Sequence, residues 1–560
     1  MATLPHLRAK ESAGSLAPRK PEETVIALAT VPFWAPLSPP LGCAVLKSHL
    51  GQHGYRSTIK DFNADQQLWG AAADYFKVLR DVIPPDMVGN FHMMAFDAMT
   101  MHLMAWWRRR DPTEYHEFVK VIYQRKFFVQ ISDEQIETLD RILDRFFATL
   151  ASRLDALLEE VRPSIVGLTV YSTSLAPSLF AFEYIRKRHP EITTLMGGGV
   201  FADYLHPTSP NFAYFLEQTA GFVDRIFVGE GEILLSRFLK GELPDQRVYS
   251  NSSVTQLDMS AVDPPDFAGL DLDAYVQMAA YATRSCPFQC SFCSETVQWG
   301  RFRAKDPRQI CSELKQLRHR YGRSLFQFGD SLLNQVIDGL ARELIDHSGN
   351  VYYDAYLRAD PEACVPENAS LWARSGYYRA RLGIESGSKH VLDLMQKEIG
   401  PQQAGEALRC LAQAGIKTTT YWVVGHPGET DGDFEETLSF VSEHATSIYE
   451  ADWHPFYYYP QGQVFSKKWS LRHGIDPQYP EEFRHLFLGQ MWVLRTSPTP
   501  AEVFDRMNRF RERCRKMGIP NPYTLVDIHR ADLRWQKLHA NAPPPIAYLM
   551  SGRAAPPPAS

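Results

Sequence analysis

Short apolar runs alternate with amphipathic stretches at the start of the chain. Residues 24–31 are apolar except for two threonines, as expected of a strand buried on both faces. A Pro-rich loop follows, then a predicted helix over 41–52 and a second predicted strand over 55–61. Because helices join the parallel strands of α/β proteins, this order predicts the beginning of a doubly wound sheet.

The regular alternation stops between residues 66 and 160, where the pattern is helical. Residues 93–107 are rich in methionine and aromatic side chains, and residues 133–161 have the apolar spacing of an amphipathic helix. The sequence therefore predicts a helical insertion in the first domain. Its methionines suit the filling of an irregular core better than the binding of a ligand.

Three further strands are predicted over 164–171, 193–196 and 225–228, each followed by small, hydroxylic or acidic residues. Ligands of open α/β sheets bind at the carboxyl ends of the strands. Glycine lets a bulky ligand approach the backbone, and hydroxyls supply hydrogen bonds. Any one of these turns could be ordinary turn chemistry. Together they give the candidate binding residues Ser172, Thr173, Ser174, Gly197, Gly198, Gly199, Gly229 and Glu230.

A second α/β unit is predicted after a polar, Asp- and Pro-rich linker over 246–274. Strand-like and helix-like runs alternate again from residue 275, which indicates a parallel barrel or part of one. The predicted strands are 277–283, 324–329, 351–357, 378–384, 416–424 and 453–459. We expect a mainly helical region over 466–542. The terminal segments 1–22 and 543–560 are expected to be disordered.

Composition limits the classes of function. The chain has 560 residues, enough for two or three domains, and its net charge of −6 gives no polybasic surface for nucleic acid or an anionic membrane. Prolines interrupt the apolar stretch 24–46, so no membrane span is expected there. The eight cysteines are scattered apart from one triplet. That usage fits a reducing cytoplasm, where we expect the protein to act.

The triplet is Cys286, Cys290 and Cys293, in the run Cys-Pro-Phe-Gln-Cys-Ser-Phe-Cys. Iron–sulfur clusters are held by cysteine thiolates, and a 4Fe–4S cluster usually has four. The next cysteine, Cys311, lies inside the following predicted helix. One iron would then be free to bind the amino and carboxylate groups of S-adenosylmethionine (SAM). A zinc knuckle would need a fourth ligand nearby, and a disulfide would need an oxidising compartment.

The spacing C-x3-C-x2-C, with Phe292 before the last cysteine and a strand before the loop, resembles the radical SAM superfamily. The resemblance implies a partial (β/α)6 barrel, a 4Fe–4S cluster on the three cysteines, and SAM bound at the carboxyl ends of the strands. It assigns SAM contacts to Phe292, Asp330, Arg358, Glu385 and Val424. Each of the charged residues could instead be a helix cap or a structural salt bridge.

The first domain resembles the cobalamin-binding domain that precedes the barrel in one radical SAM subclass. The matching elements are Pro-Pro-Leu-Gly before the first helix, Ser-Thr-Ser, Gly-Gly-Gly and Val-Gly-Glu-Gly-Glu, within residues 24–62 and 163–245. Many cobalamin proteins carry Asp-x-His-x-x-Gly after the first strand, whereas here the loop 32–36 has no histidine. Cobalamin would therefore bind without a histidine below the cobalt. A relic domain without cobalamin is the alternative.

These observations predict an α/β protein with four parts. They are a Rossmann-like cobalamin-binding domain over 23–245, the linker, a partial radical SAM barrel over 275–465, and the C-terminal helical region. The implied activity belongs to secondary metabolism. It is C-methylation of a natural product or peptide, with the methyl group passing from SAM through methylcobalamin, and with electrons from an external flavodoxin- or ferredoxin-type donor. The oligomeric state is not predicted.

Other functions share parts of the pattern. A cobalamin-dependent radical SAM cyclase or rearrangement enzyme would carry every motif used above. A non-catalytic cobalamin sensor would not need the cysteine triplet. A methylthiotransferase would need three N-terminal cysteines, and only Cys43 precedes residue 280. Tyr457 and Tyr459 share one face of the last predicted strand and are candidates for the substrate side, although aromatic side chains on a strand are also ordinary core.

Overall fold

Two six-stranded parallel sheets frame the protein in this computed structural model. The structure describes residues 16–34, 37–202, 204–251, 254–347, 349–458, 472–490 and 492–550. Most of the core is apolar and continuous between the two sheets, so the two α/β units are packed directly against one another.

The first sheet has the strand order β2-β1-β3-β4-β5-β6, with every pairing parallel. Its strands are β1 (Val25–Thr30), β2 (Arg56–Asp61), β3 (Ile165–Thr169), β4 (Thr193–Gly197), β5 (Arg225–Val228) and β6 (Val248–Ser250). From β1 the chain adds β2 on one side of the sheet and then β3 to β6 on the other, so the order of the strands reverses between β1 and β3. Open α/β sheets bind ligands at such a switch point. The segment predicted as a linker thus begins with strand β6 of this sheet. The strand has only three residues, too few to show the two-residue alternation that predicts a strand.

Eight helices accompany the first sheet: α1 (Leu41–Gln52), α2 (Gln66–Val82), α3 (Phe91–Arg108), α4 (Pro112–Phe127), α5 (Asp133–Val161), α6 (Leu175–Arg188), α7 (Phe212–Thr219) and α8 (Gly231–Leu239). Helices α2 to α5 lie between β2 and β3, in the range where the sequence predicts an insertion. Helix α5 begins with a capping box formed by Ser132 and Gln135. The methionines of α3 are largely buried in the core, in agreement with their role as fillers.

The second sheet has the order β14-β13-β12-β11-β10-β7, again parallel throughout. Its strands are β7 (Met278–Ala280), β10 (Leu325–Phe328), β11 (Tyr352–Leu357), β12 (Tyr377–Glu385), β13 (Lys417–Val424) and β14 (Glu450–Pro455). Strands β7 and β14 are the two ends of the sheet, so it is an open, partial barrel. A short antiparallel hairpin of β8 (Thr283–Arg284) and β9 (Arg303–Ala304) follows β7.

The helices of the second unit are α9 (Glu295–Trp299), α10 (Pro307–Tyr321), α11 (Ile337–Asp346), α12 (Pro366–Arg374), α13 (Lys389–Leu394), α14 (Pro401–Gln413) and α15 (Asp431–Glu443). All six predicted strands occur here. The last one lies three residues earlier than predicted, at Glu450–Pro455, and Tyr459 falls outside the described residues.

The C-terminal region is mainly helical, with a two-stranded antiparallel sheet before its helices. Its elements are β15 (Ile475–Pro477), β16 (Trp492–Leu494), α16 (Pro500–Met517), α17 (Leu525–Leu538) and α18 (Ile546–Met550). The prediction of disorder from residue 543 is wrong for α18, because Ile546 and Leu549 pack against Tyr352 and Tyr378 of the barrel. Two apolar residues anchor this short helix, and its Pro-rich flanks hide them in the sequence.

The N-terminal prediction also needs correction. Pro21–Glu23 form a 3-10 turn, and the backbone N–H of Arg19 donates to the carbonyl of Leu239 at 2.7 Å. Residues 16–22 are therefore attached to the first domain, while residues 1–15 lie outside the described part. No helix among the described residues is long and apolar enough to cross a membrane.

Candidate active site between the two sheets

The three cysteines lie on one loop between the hairpin strand β8 and helix α9. All three are half-buried free thiols. The backbone N–H of Cys293 donates to the carbonyl of Cys290 at 3.1 Å. Ser291 fixes the loop to the barrel, because its N–H donates to the carbonyl of Met395 at 2.8 Å. These two hydrogen bonds fix the shape of the loop and attach its middle to the barrel.

Burial affects the protonation of two thiols in this loop. It raises the pKa of Cys286, and it raises the pKa of Cys293 to about 12, with the charge of Glu295 adding to the effect. Metal ligation needs thiolates, so binding an iron–sulfur cluster here would release protons and be favoured by rising pH.

Two cations lie over the same loop. The guanidinium of Arg358 is 3.8 Å from the ring centroid of Phe288, and its Nη1 is 4.0 Å from the Sγ of Cys290. The Nζ of Lys397 lies 5.8 Å from the ring centroid of Phe292. Positive charge close to cysteine favours the thiolate form. Three thiols, two nearby cations and partial burial fit an anionic iron–sulfur cluster.

A site for a single metal ion is a separate matter. Among the residues that the structure describes, no group of three or more His, Cys, Asp or Glu side chains could hold one ion, and this includes the cysteine triplet.

Two residues predicted to contact SAM already have protein partners. Glu385 accepts a hydrogen bond from the Nζ of Lys397 at 2.8 Å, and both side chains are buried. Glu385 has a φ of 67°, at a register shift between β12 and β13. The guanidinium of Arg358 donates to Asp360 at 2.8 Å. These residues lie beside the cysteine loop, and their contact with SAM stays a prediction.

Asp330 makes hydrogen bonds that hold the backbone before the cysteine loop. Its two carboxylate oxygens accept the backbone N–H of Ala282, at 2.8 and 3.0 Å. Burial raises the pKa of Asp330 to about 7, although these backbone contacts oppose the shift. Asp330 thereby ties the end of β10 to the segment that leads into the cysteine loop. Val424 is buried, and its carbonyl accepts the N–H of Phe456 at 3.0 Å.

The Ser-Thr-Ser turn follows β3 at the switch point of the first sheet. The hydroxyl of Thr173 donates to the carbonyl of Phe33, and the Oγ of Ser174 accepts the N–H of Tyr171 at 3.0 Å. Ser172 and Thr173 line a cavity. Beside them the ring of Trp34 stacks on Tyr171 with centroids 4.1 Å apart. The carboxyl ends of β1 and β3 thus present one flat aromatic surface and a hydroxyl-lined cavity.

The glycine turns have mainly local causes. A Cβ at position 198, where φ is 111°, would lie 2.4 Å from the carbonyl oxygen of Val170. At position 229, where φ is 98°, it would collide with the side chain of Asn251. A Cβ at position 199 would meet the ring of Tyr171 at 3.0 Å, whereas Gly197 makes only ordinary contacts. The protein itself requires most of these glycines, so they are not evidence of a ligand.

Glu230 joins the two sheets through ion pairs. It lies at the carboxyl end of β5, buried, and it pairs with Arg303 and, at 3.0 Å, with Arg284. Glu232 is buried too and binds the same Arg284. The sequence predicts a cobalamin contact for Glu230, but its carboxylate faces the β8–β9 hairpin that leads into Cys286.

Sequence reasoning missed these arginines. Arg284 and Arg303 lie on either side of the cysteine loop, and two acids spaced two apart follow β5. The opposite charges of these two acids and two arginines were the signal in the sequence that could have predicted the ion pairs. The ion pairs hold the carboxyl end of the first sheet against the base of the cysteine loop.

A larger cavity, about 160 Å³, lies at the carboxyl ends of β13 and β14 and is closed by α3, α4 and α16. Tyr457 lines it, and its hydroxyl donates to Asp97 of the helical insertion at 2.8 Å; its place on the substrate side stays a prediction. Sequence reasoning did not predict Asp97 as a site residue, because it lies in the Met-rich helix that was interpreted as core. The insertion and the C-terminal region therefore complete the walls between the two sheets.

Comparison with known proteins agrees with this arrangement. Residues 281–441 match the family model described as "Radical SAM superfamily". The anaerobic magnesium-protoporphyrin IX monomethyl ester cyclase of Rubrivivax gelatinosus is 22% identical over 55% of this chain and 59% of its own length. The cytidylyl-2-hydroxyethylphosphonate methyltransferase of Streptomyces wedmorensis is 24% identical over 51% and 63%, respectively. The chain spans little more than half the length of several such relatives.

The likeness of fold extends over almost the whole chain. The structure of the radical SAM methyltransferase TsrM from Kitasatospora setae, with cobalamin and a [4Fe-4S] cluster bound, aligns with a TM-score of 0.60. The alignment covers 94% of this chain and 99% of that one at 13% identity, which establishes a common fold. Residues 281–441 therefore form a radical SAM domain, and the chain as a whole shares the fold of TsrM.

Proposed function

We propose that the protein is a cobalamin-dependent radical SAM C-methyltransferase. The observation that carries the proposal is the junction of the two sheets. Glu230 at the carboxyl end of β5 is ion-paired with Arg284, two residues before Cys286. Since open α/β sheets and barrels both bind ligands at the carboxyl ends of their strands, two cofactor sites would face each other here.

The chain's own residues divide between the two sites. Cys286, Cys290 and Cys293 would hold a 4Fe–4S cluster with one iron open to SAM. Arg358 would balance the negative charge, since it lies within 4.0 Å of the Sγ of Cys290. When bound, the cluster, SAM and cobalamin supply one-electron and methyl-transfer chemistry that no side chain provides.

A corrin would lie at the β1/β3 switch point. Trp34 and Tyr171 offer a stacked aromatic surface there, and Ser172 offers a hydroxyl on the cavity wall. The loop after β1 has no histidine, so we propose cobalamin without a histidine ligand from that loop. The insertion and α16 line the space between the sites, and excluding water from that space would strengthen the electrostatic interactions within it.

The partners follow from this chemistry. We propose a small natural-product intermediate as substrate, because the cavity at the carboxyl ends of β13 and β14 has a volume of only about 160 Å³. TsrM has been solved with tryptophan as its substrate. An external flavodoxin- or ferredoxin-type donor would supply electrons. All eight cysteines are free, which suits action in a reducing cytoplasm.

The test is substrate-independent transfer of a labelled methyl group. The full chain is reconstituted anaerobically with iron, sulfide and hydroxocobalamin, then given a reductant and SAM with a deuterated methyl group. We expect S-adenosylhomocysteine in solution and the deuterated methyl group on the bound corrinoid, both read by mass spectrometry. A reconstituted protein that holds iron and corrinoid but transfers no label would overturn methyl transfer.

A cyclase is the second candidate, because several of the curated relatives carry that name. The same incubation separates the two. A cyclase or rearrangement enzyme should release 5′-deoxyadenosine or turn over substrate without moving the label onto the corrinoid. A non-catalytic sensor should bind corrinoid and leave SAM intact.

A further inference from the structure

The cavity at the carboxyl ends of β13 and β14 has a mainly apolar wall that includes a few polar and charged side chains. Its lining includes Met93, Phe456, Trp492, Phe504 and Met507. Phe456 also packs, with Phe292 of the cysteine loop, on the small core cluster around Val423. One layer of side chains therefore separates this cavity from the loop that would hold the iron–sulfur cluster.

Asp97 is the carboxylate in this wall. Its Oδ2 accepts two hydrogen bonds, from the Nζ of Lys126 at 2.9 Å and from the hydroxyl of Tyr457 at 2.8 Å. Both contacts fall on one oxygen, and no described residue donates to Oδ1. A carboxylate can accept about four hydrogen bonds. Asp97 thus has acceptor capacity left, and the residue lines the cavity.

Asp97 also lines the second cavity, next to Ser172 and Thr173 at the switch point of the first sheet. The two cavities share this side chain. If the proposed function holds, Asp97 lies between the group that donates the methyl and the space that receives the substrate.

The charge of Asp97 is already balanced. Lys126 is its ion-pair partner, and the Lys126 side chain is only 8% exposed. Arg125 adds a further positive charge to the lining. The cavity as a whole therefore disfavours a cationic ligand, while Oδ1 still favours a neutral hydrogen-bond donor.

We propose that this cavity binds a flat heteroaromatic substrate with a ring N–H, and that Oδ1 of Asp97 accepts the hydrogen bond of that N–H. This inference rests on the proposed function. Aromatic and methionine side chains match the body of such a ligand, and the carboxylate matches its single donor.

The test compares two probes of nearly equal shape, indole and 1-methylindole, on the anaerobically reconstituted chain. Binding is measured by ligand-observed NMR titration. We expect indole to bind about tenfold more tightly than 1-methylindole, and we expect Asp97→Asn to reduce that preference to about twofold or less. Arg125→Gln changes a charge in the same cavity without touching Asp97, so it should keep the tenfold preference.

Equal affinity for the two probes in the wild-type chain would overturn the inference. A titration in which neither probe binds detectably would overturn it as well. Tighter, Asp97-dependent binding of a phenylethylammonium probe would also overturn it, in favour of a cation site. Circular dichroism and the melting temperature show whether Asp97→Asn is folded. Should that variant unfold, the ratio of the two probes on wild-type protein still decides. Label transfer from SAM to the corrinoid in the same preparation tests the proposed function separately.

Discussion

Both parallel sheets bury apolar side chains, but the second sheet also buries charged ones. In the first sheet, β1 and β3 are almost wholly apolar, with Ile26, Leu28, Val166 and Leu168 buried. In the second sheet, Asp354 is completely buried and accepts hydrogen bonds from two arginines of the neighbouring strand β12. Both sheets have the same strand number and the same parallel pairing, so pairing alone does not explain the difference.

The difference lies in what covers each face. A doubly wound sheet has helices on both faces, and its strands need apolar residues throughout. An open barrel has an inner face that curves around a space for polar ligands. Charged residues on that face must satisfy one another: Arg379 lies near Asp354 and Glu450, and Lys417 pairs with Asp532 of α17. The first sheet thus serves as an apolar scaffold, whereas the second sheet surrounds a polar interior.

The largest expected effect is loss of iron binding when the cysteines of the barrel loop are replaced. Replacing Cys286, Cys290 and Cys293 together with alanine should abolish iron binding and all SAM-dependent products, since no described alternative ligand lies on the loop. The apolar first sheet should be untouched, so corrinoid binding should persist. Iron analysis and absorption spectra of the reconstituted variant measure both.

Cys364 provides the control for that variant, because it is a half-buried free thiol outside the loop. Cys364→Ala should keep the wild-type iron content. Iron retained by the triple variant would contradict the assignment of the cluster to this loop.

A second prediction concerns the buried charges of the barrel. Asp354→Asn leaves Arg379 and Arg381 without their shared anion, and removing one partner of a buried ion pair costs roughly 3–5 kcal/mol. We expect a loss of that size in the free energy of unfolding of the barrel transition, measured by urea denaturation at pH 7. A variant as stable as wild type would show that the sheets do not differ in the way described.

The pH dependence of the same group has a definite sign. Burial alone would raise the pKa of Asp354, but the charges of Arg381 and Arg379 outweigh it and lower the pKa to about 2. The ordinary value is 3.8. The stabilising contribution is therefore complete above about pH 4 and is lost as the pH falls towards 2. The stability gap between wild type and Asp354→Asn should narrow within that window and stay constant from pH 5 to 7.

The smallest expected effect is at the junction. Glu230→Gln removes a charge from the ion pairs with Arg284 and Arg303, but Glu232 still neutralises Arg284. Hydrogen bonds to charged groups contribute roughly 1.5–3 kcal/mol. We expect a loss in that range in overall stability, and a several-fold fall in label transfer with iron and corrinoid contents unchanged.

Glu242→Gln is the matched control, since Glu242 pairs with Arg237 on the exposed surface of the same domain. Exposed pairs contribute little, so its effect should be below about 1 kcal/mol. Equal effects of the two substitutions would mean that the junction does not couple the sheets.

The strands of both sheets were largely predictable, for different reasons. An uninterrupted apolar run such as residues 25–30 fits a strand buried on both faces. In β12 the arginines alternate with Tyr378, Ala380 and Leu382, so the two-residue period survives the buried charges. Strand β6 was missed because three residues show no period, and α18 because two anchoring residues do not stand out.

The candidate site was predictable only where covalent spacing fixes the chemistry. The cysteine triplet is contiguous in sequence, so its loop could be found at once. The sequence predicts a cobalamin contact for Glu230 because this residue lies in the turn after β5. A turn sequence does not show which side chain or ligand the residue contacts, so the ion pairs with Arg284 and Arg303 were not predicted. Asp97 and Lys126 lie 29 residues apart on two insertion helices, and only packing brings them together. Ion pairs and cavity walls between distant elements leave no local pattern.

The most direct test of the central claim is electron paramagnetic resonance of the reduced, reconstituted protein, together with metal analysis. The account predicts about four irons and one cobalt per chain, and a cluster signal that changes when SAM is added, because three thiolates leave one iron open. Bound zinc in place of iron, or a cluster signal that is unchanged by SAM, would contradict it.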